Sequence, residues 1–151
     1  MPPERYIRPS RKVLFMNRYI SVLTYLGISV HDSRILTVRG RKSGIPRKVP
    51  VSLIVHDGQH YLSAGRGETE WVRNLRAAGE GDLRLGPRNR HFTISELANA
   101  EKPPVLRTYL ARHIDRIGPL FSPATPTASD EVWAAVAPNH PVFRLEYRQR
   151  A

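Results

Sequence analysis

Apolar and polar positions alternate with two different periods along this chain, and the change of period marks its elements. Met16, Ile20, Leu23 and Leu26 recur at helical spacing. With Gly27 placed to end it, this predicts an amphipathic helix over about residues 10–27. Arg11, Lys12 and Arg18 stand on its polar side. Such a helix suits either a lid on a barrel or a contact with a membrane surface or partner. A period of two follows. Leu36 and Val38 alternate with Ile35, Thr37 and Arg39; Val49, Val51, Leu53 and Val55 alternate with Lys48, Pro50, Ser52, Ile54 and His56. Asp57-Gly58 is a hairpin signal, and 59–64 returns as a strand. The expectation is a three-strand meander with loops at 41–46 and 57–58.

The second half mixes the periods. A short helix is expected from near Thr69, with Trp71, Leu75 and Ala78 on one face and Gly79 at its end. Leu83 and Leu85 mark a strand, Phe92 and Ile94 another. Pro103 and Pro104 open a helix carrying Val105, Leu106, Tyr109 and Leu110. The proline-rich stretch 119–129 reads as a loop. Ser129 caps a helix with Val132, Trp133 and Val136, and 142–147 closes as the last strand. Hairpin order with helices inserted late predicts a mainly β (α+β) domain: a small barrel of six or seven strands with two or three helices besides the first. Residues 1–151 suffice for one such domain.

Charge narrows the partners. Lys plus Arg is 24 against 13 Asp plus Glu, a formal +11. This favours an anionic partner, whether nucleic acid, an acidic membrane surface or an anionic small molecule. Nucleic acid is disfavoured, because Tyr61 is the only aromatic of the central meander and stacking needs more. There is no cysteine, which excludes disulfides and thiolate chemistry. His56 and His60 flank a turn, and no ligand spacing for a metal occurs. The apolar runs fall short of the roughly 20 residues of a membrane span. The start lacks a signal peptide's apolar core, so a cytoplasmic location is expected, with membrane association left open.

The candidate chemistry lies in the loop Gly40-Arg41-Lys42-Ser43-Gly44-Ile45-Pro46-Arg47, which places three cations within seven residues. With Ser43 and free amides, it is suited to cradle a phosphate, and it equally suits an ordinary basic hairpin loop. Gly65-Arg66-Gly67 then leaves the third strand, and Trp71-Val72-Arg73-Asn74-Leu75 opens the next helix. In order and spacing, these three pieces and the closing His140-Pro141-Val142-Phe143 resemble the deazaflavin-dependent nitroreductase family.

That resemblance implies a split β-barrel related to flavin mononucleotide (FMN)-binding barrels. It also implies coenzyme F-420, a deazaflavin with a phosphodiester and an oligoglutamate tail, and hydride transfer to a quinone, nitroaromatic or activated alkene. Arg41, Lys42 and Arg47 would hold the phosphate and glutamates, with Ser43 beside them. Arg66 stands where the family often has lysine, between Gly65 and Gly67 of the cofactor-binding turn. Pro50 and Ser52 would line the ring site, and Trp71 and Asn74 would buttress the turn. Proton-donor candidates are Tyr61, Ser63 and Tyr109. Gly65 departs from the serine of some relatives, and Trp133 stands where they carry tyrosines. An FMN enzyme or a non-catalytic cofactor carrier of the same fold is the alternative. Relatives are often dimers, so pairing of two copies along an edge strand is a further expectation.

Overall fold

The computed structural model describes residues 6–29 and 32–148. Helix α1 (Arg11–Tyr25) leads into strands β1 (Ser33–Arg39), β2 (Pro46–Ser52), β3 (Ile54–His56) and β4 (Gln59–Ser63). Helix α2 (Glu70–Ala78), strands β5 (Glu80–Leu85) and β6 (Arg88–Glu96), and helices α3 (Lys102–Arg112), α4 (Ile114–Ile117) and α5 (Asp130–Val136) follow. Strand β7 (Val142–Tyr147) closes the chain. The seven strands form one antiparallel sheet in the order β2-β1-β5-β6-β7-β4-β3. The fold is the split barrel implied by the motifs.

The single strand expected over 48–56 is two strands. Period two runs through it without a break, so the pattern carried no sign of the interruption. Leu53 lies at the junction: its N–H, donated to the Asp32 carbonyl at 2.9 Å, is the last bond in register with β1, and from Ile54 the chain pairs with β4 instead. β2 then pairs only with β1, and β3 only with β4. These strands are the two edges of the sheet, yet one residue joins them. The sheet must therefore curl until its edges meet, and that is what makes a barrel of it.

Two apolar clusters hold the curl. One contains Leu36, Val38, Leu62, Val72, Leu75, Phe92 and Phe143, with α2 contributing Val72 and Leu75. The other lies beneath α3 and α5 around Leu106, Leu110, Phe121 and Trp133. The stretch 119–129 is more than a loop. A 3-10 turn at Gly118–Phe121 sinks Phe121 into the second cluster, where its ring stacks on His140 at 4.1 Å between centroids. Counting the single turn of α4, four helices follow α1, one more than expected.

Helix α1 also departs from expectation. Ser10 caps it, accepting from the Val13 N–H. Of Met16, Ile20, Leu23 and Leu26, only Ile20 is buried, and Leu26 is 71% exposed. The helix instead docks through Ile20 and Thr24. The Thr24 hydroxyl is hydrogen-bonded to Ser33 Oγ at 2.6 Å, and its carbonyl accepts from the Gly86 N–H at 2.9 Å. Gly86 has φ +57°, and a Cβ there would lie 2.9 Å from the Gly27 Cα, so this approach requires glycine.

Candidate functional site

The basic loop between β1 and β2 is closed on itself. Gly40 donates to the Ile45 carbonyl and accepts from the Gly44 N–H, each at 2.9 Å, with Gly44 at φ +73°. Ser43 Oγ accepts from the Ile45 N–H at 3.2 Å. The loop is fastened to α2 by Asn74, a buried residue whose Oδ1 accepts from Arg41 twice: from its N–H at 3.1 Å and its guanidinium at 2.8 Å. The same guanidinium pairs with Glu70 at 2.8 Å, and this bond holds the Glu70 carboxyl below its ordinary range. Thr69 caps α2, accepting from the Val72 N–H, and so presents Glu70 and Asn74 one turn apart.

Gly40, Arg41, Lys42, Ser43, Arg47, Glu70 and Asn74 surround a cleft of about 120 Å³. Its three cations face one carboxylate, Glu70, which Arg41 bonds directly and Lys42 attracts only at longer range. Lys42 and Arg47 are exposed and have no carboxylate partner among the described residues. Arg41 is therefore part of the wall, while Lys42 and Arg47 carry the charge available to a ligand.

Arg66 is not in this cleft. Its guanidinium points to the Ile7 and Arg8 carbonyls at 3.4 and 3.5 Å, and its own carbonyl accepts from the Ile7 N–H at 3.0 Å. A bridge between Tyr6 and Gly67 continues the contact, so this turn fastens the segment ahead of α1. Gly67 has φ +93°. Gly65 lies under Leu120; a Cβ there would meet Leu120 Cδ1 at 3.1 Å. Trp71 packs on the first cluster, its ring centroid 6.4 Å from that of Phe143.

Pro50 and Ser52 are half-buried on β2, an edge strand where the missing N–H of proline costs no ladder bond. Ser52 Oγ accepts from Arg116 at 3.2 Å, and both lie close enough to the Tyr109 phenol to act on its ionisation. Burial pushes the Tyr109 phenol up, against the opposing effect of Arg116. Of the other two donor candidates, Ser63 gives its proton to the Pro141 carbonyl at 2.8 Å, and Tyr61 is buried in the second cluster. Tyr109 alone of the three borders a cavity, of about 180 Å³, together with Asp32, Leu53, Ile54, Val55, Thr108, Arg112 and His113. Asp32 pairs with Arg112 at 2.9 Å and lies 3.3 Å from His113. The Arg112 bond holds its carboxyl below the ordinary range against the opposing effect of burial. Asp32, Arg112, His113 and Arg116 had no signal in the sequence, because the partners they bond lie 64 residues away for Arg116 and 80 for Arg112, with no motif spacing to link them. No cluster that could hold a metal ion occurs among the described residues.

Comparison with known proteins agrees with this architecture. An F420-H2 dependent reductase, FDR-A, superposes with a TM-score of 0.53 at 19% identity, covering 76% of this chain and 94% of that one. A putative pyridoxamine 5'-phosphate oxidase from Listeria innocua gives 0.52 at 14%, covering 89% and 94%. HutZ, the heme storage protein from Vibrio cholerae, gives 0.56 at 11%, covering 80% and 84%. These likenesses establish the fold, which serves chemically unlike ligands. None of the curated proteins matches the chain. The sequence itself decides among the uses of the fold: residues 11–115 match the family model of the F420H(2)-dependent quinone reductases, and the chain belongs to that family.

Proposed function

We propose that this F-420-dependent oxidoreductase delivers the coenzyme's hydride to a small organic acceptor: a quinone, a nitroaromatic or an activated alkene. Lys42 and Arg47 hold the anionic part of the coenzyme, and Pro50 and Ser52 line its ring. The observation that carries this reading is the division of labour in the basic loop. Arg41 is neutralised by Glu70 and fixed by Asn74, while Lys42 and Arg47 face a cleft without a carboxylate of their own. That donor set fits a phosphodiester with carboxylates behind it, since charge-assisted bonds to anionic oxygens are the strong ones. Bound there, the deazaflavin ring supplies a hydride, and the acceptor oxygen then needs a proton. Tyr109 suits that second task. It borders the cavity, Ser52 and Arg116 stand beside its hydroxyl, and burial keeps it protonated.

The test is anaerobic oxidation of reduced F-420 by the purified protein, followed optically, with one quinone, one nitroaromatic and one enone as acceptors. Titrations of F-420 and FMN accompany it. The expected result is tighter binding of F-420 than of FMN, with turnover on at least one acceptor class. Saturable F-420 binding without turnover on any of the three would overturn the acceptor assignment. Preferential binding of FMN would overturn the role given to Lys42 and Arg47.

A further inference from the structure

Three strands end the interior face of the barrel with a basic side chain. Leu36 of β1, Leu62 of β4 and Phe92 of β6 belong to the first cluster, and the residues two before them are Arg34, His60 and Arg90. Side chains two apart share a face of a strand, so these three face the interior as well. The sheet is antiparallel, so the starts of β1, β4 and β6 lie at the same end of the barrel as the finish of β7. There Tyr147 joins them. Its phenol is hydrogen-bonded to His60 Nδ1 at 2.5 Å, and the Arg90 guanidinium lies 3.6 Å from its ring centroid. The basic loop and α2 follow the finish of β1 and β4, which puts the cofactor cleft at the opposite end. From Arg34 to Arg39 along β1 is already roughly 17 Å at about 3.3 Å per residue.

The charge at this end has one sign. Burial pushes the His60 imidazole down, and Arg90 and Arg34 push it further, so both cations act on one ring. Both also act on the Tyr147 phenol, against the burial that pushes it up. Arg34 donates to Ser29 Oγ at 2.9 Å and to the Ser33 carbonyl at 2.8 Å. Among the described residues neither Arg34 nor Arg90 pairs with a carboxylate. The acids of the adjoining strands are engaged elsewhere: Glu80 and Asp82 lie against His91, and Glu146 against Arg144. Two cations gathered at one half-buried His-Tyr pair repel each other and disfavour a third charge on the imidazole. An oxyanion between them relieves that repulsion, because each guanidinium presents a planar fork of donors to anionic oxygens. Two positive charges suit a dianion better than a single carboxylate.

We propose that the end of the barrel formed by Arg34, His60, Arg90 and Tyr147 is a binding site for a phosphate group, either free or carried by a small phosphomonoester. This is independent of the reading of the cofactor cleft. The test is calorimetric titration of the full-length protein with inorganic phosphate and with glycerol 3-phosphate, in a buffer free of other multivalent anions. It is run on the wild type, Arg34→Gln, Arg90→Gln and Lys42→Ala, the last to report phosphate taken up by the cofactor cleft instead. Thermal melts establish that each variant is folded, and NMR of the His60 ring in the wild type gives a readout that needs no variant. The wild type is expected to bind saturably, more weakly with added salt. Binding should shift the His60 ring resonances and raise the pH at which they titrate. Each folded arginine variant should lose at least about tenfold in affinity, with Lys42→Ala unchanged. Tighter binding of the ester marks a phosphomonoester as the source, and tighter binding of inorganic phosphate marks the free ion. If an arginine variant fails to fold, Arg34→Lys or Arg90→Lys takes its place, keeping the charge and removing the fork. Three outcomes overturn the proposal: no saturable binding by the wild type, binding that leaves the His60 resonances unmoved, or binding that Lys42→Ala weakens and the folded arginine variants do not.

Discussion

Replacing Lys42 by alanine separates the cofactor's tail from its ring. Lys42 is exposed at the mouth of the cleft and pairs with no carboxylate among the described residues. Its removal should therefore leave the protein's own hydrogen bonds and ion pairs intact, losing only a longer-range attraction to Glu70. A charge-assisted hydrogen bond contributes about 1.5–3 kcal/mol, whereas an exposed ion pair contributes roughly 0–1. A contact at the open edge of a cleft falls between these, near 1.4 kcal/mol, which is a tenfold change in Kd. Calorimetric titration of wild type and Lys42→Ala with intact F-420, with a form lacking the glutamates, and with one lacking the phosphate as well, locates the contact. If Lys42 holds a glutamate, the tenfold loss is seen only with the intact coenzyme. If it holds the phosphate, the loss persists in the glutamate-free form and vanishes in the last. Either loss should shrink as salt is raised, since screening acts over about 10 Å at 0.1 M. Equal affinities of the two proteins for every form would refute the reasoning and remove the loop from the site.

Asn74→Ala frees both Arg41 bonds, so it should weaken all phosphate-bearing cofactor forms alike and lower the melting temperature by several degrees, read by calorimetry and a thermal scan. Lys102 is buried with its Nζ 3.2 Å from the Ala137 carbonyl, and burial pushes its pKa down. Lys102→Met should thus stabilise the fold by about 1 kcal/mol in urea unfolding at neutral pH, with the gain shrinking as pH rises toward the ordinary lysine range. Asp32 has a lowered pKa in the folded state. Its contribution is full above the ordinary aspartate value and is lost as pH falls through the lower folded one. Arg112→Ala should accordingly flatten the acid limb of stability against pH, and an unchanged limb would contradict the assignment.

How much of this was legible in the sequence depended on whether the information was local. The Asp57-Gly58 turn, the Thr69 and Ser129 caps and the strands around Leu83 and Phe92 are written in neighbouring residues, and the structure has them. The basic loop was legible for the same reason, since its three cations fall within seven residues. The break at Leu53 was not, because alternation continues across it; only the change of partner from β1 to β4 reveals it. The orientation of α1 was also hidden. Periodicity reports that a helix has an apolar side, and cannot report which side the barrel takes. Whether three nearby cations are equivalent was likewise settled by a different element, when Glu70 and Asn74 of α2 claimed Arg41.

Strand β2 acts as a ruler. Arg47 stands at the basic cleft, and five residues later Ser52 stands beside Tyr109 and Arg116, with Leu53 already in the wall of the cavity. At about 3.3 Å per residue these two ends are roughly 17 Å apart. Five being an odd number, Arg47 and Ser52 face opposite sides of the strand, so a ligand reaching from one to the other would have to cross the open edge of the sheet that β2 forms. A one-residue insertion in β2 would change that length by only a fifth, but would also turn Ser52 to the face that Arg47 occupies. Length and facing are thus inherited together, and neither can be altered in this strand without altering the other.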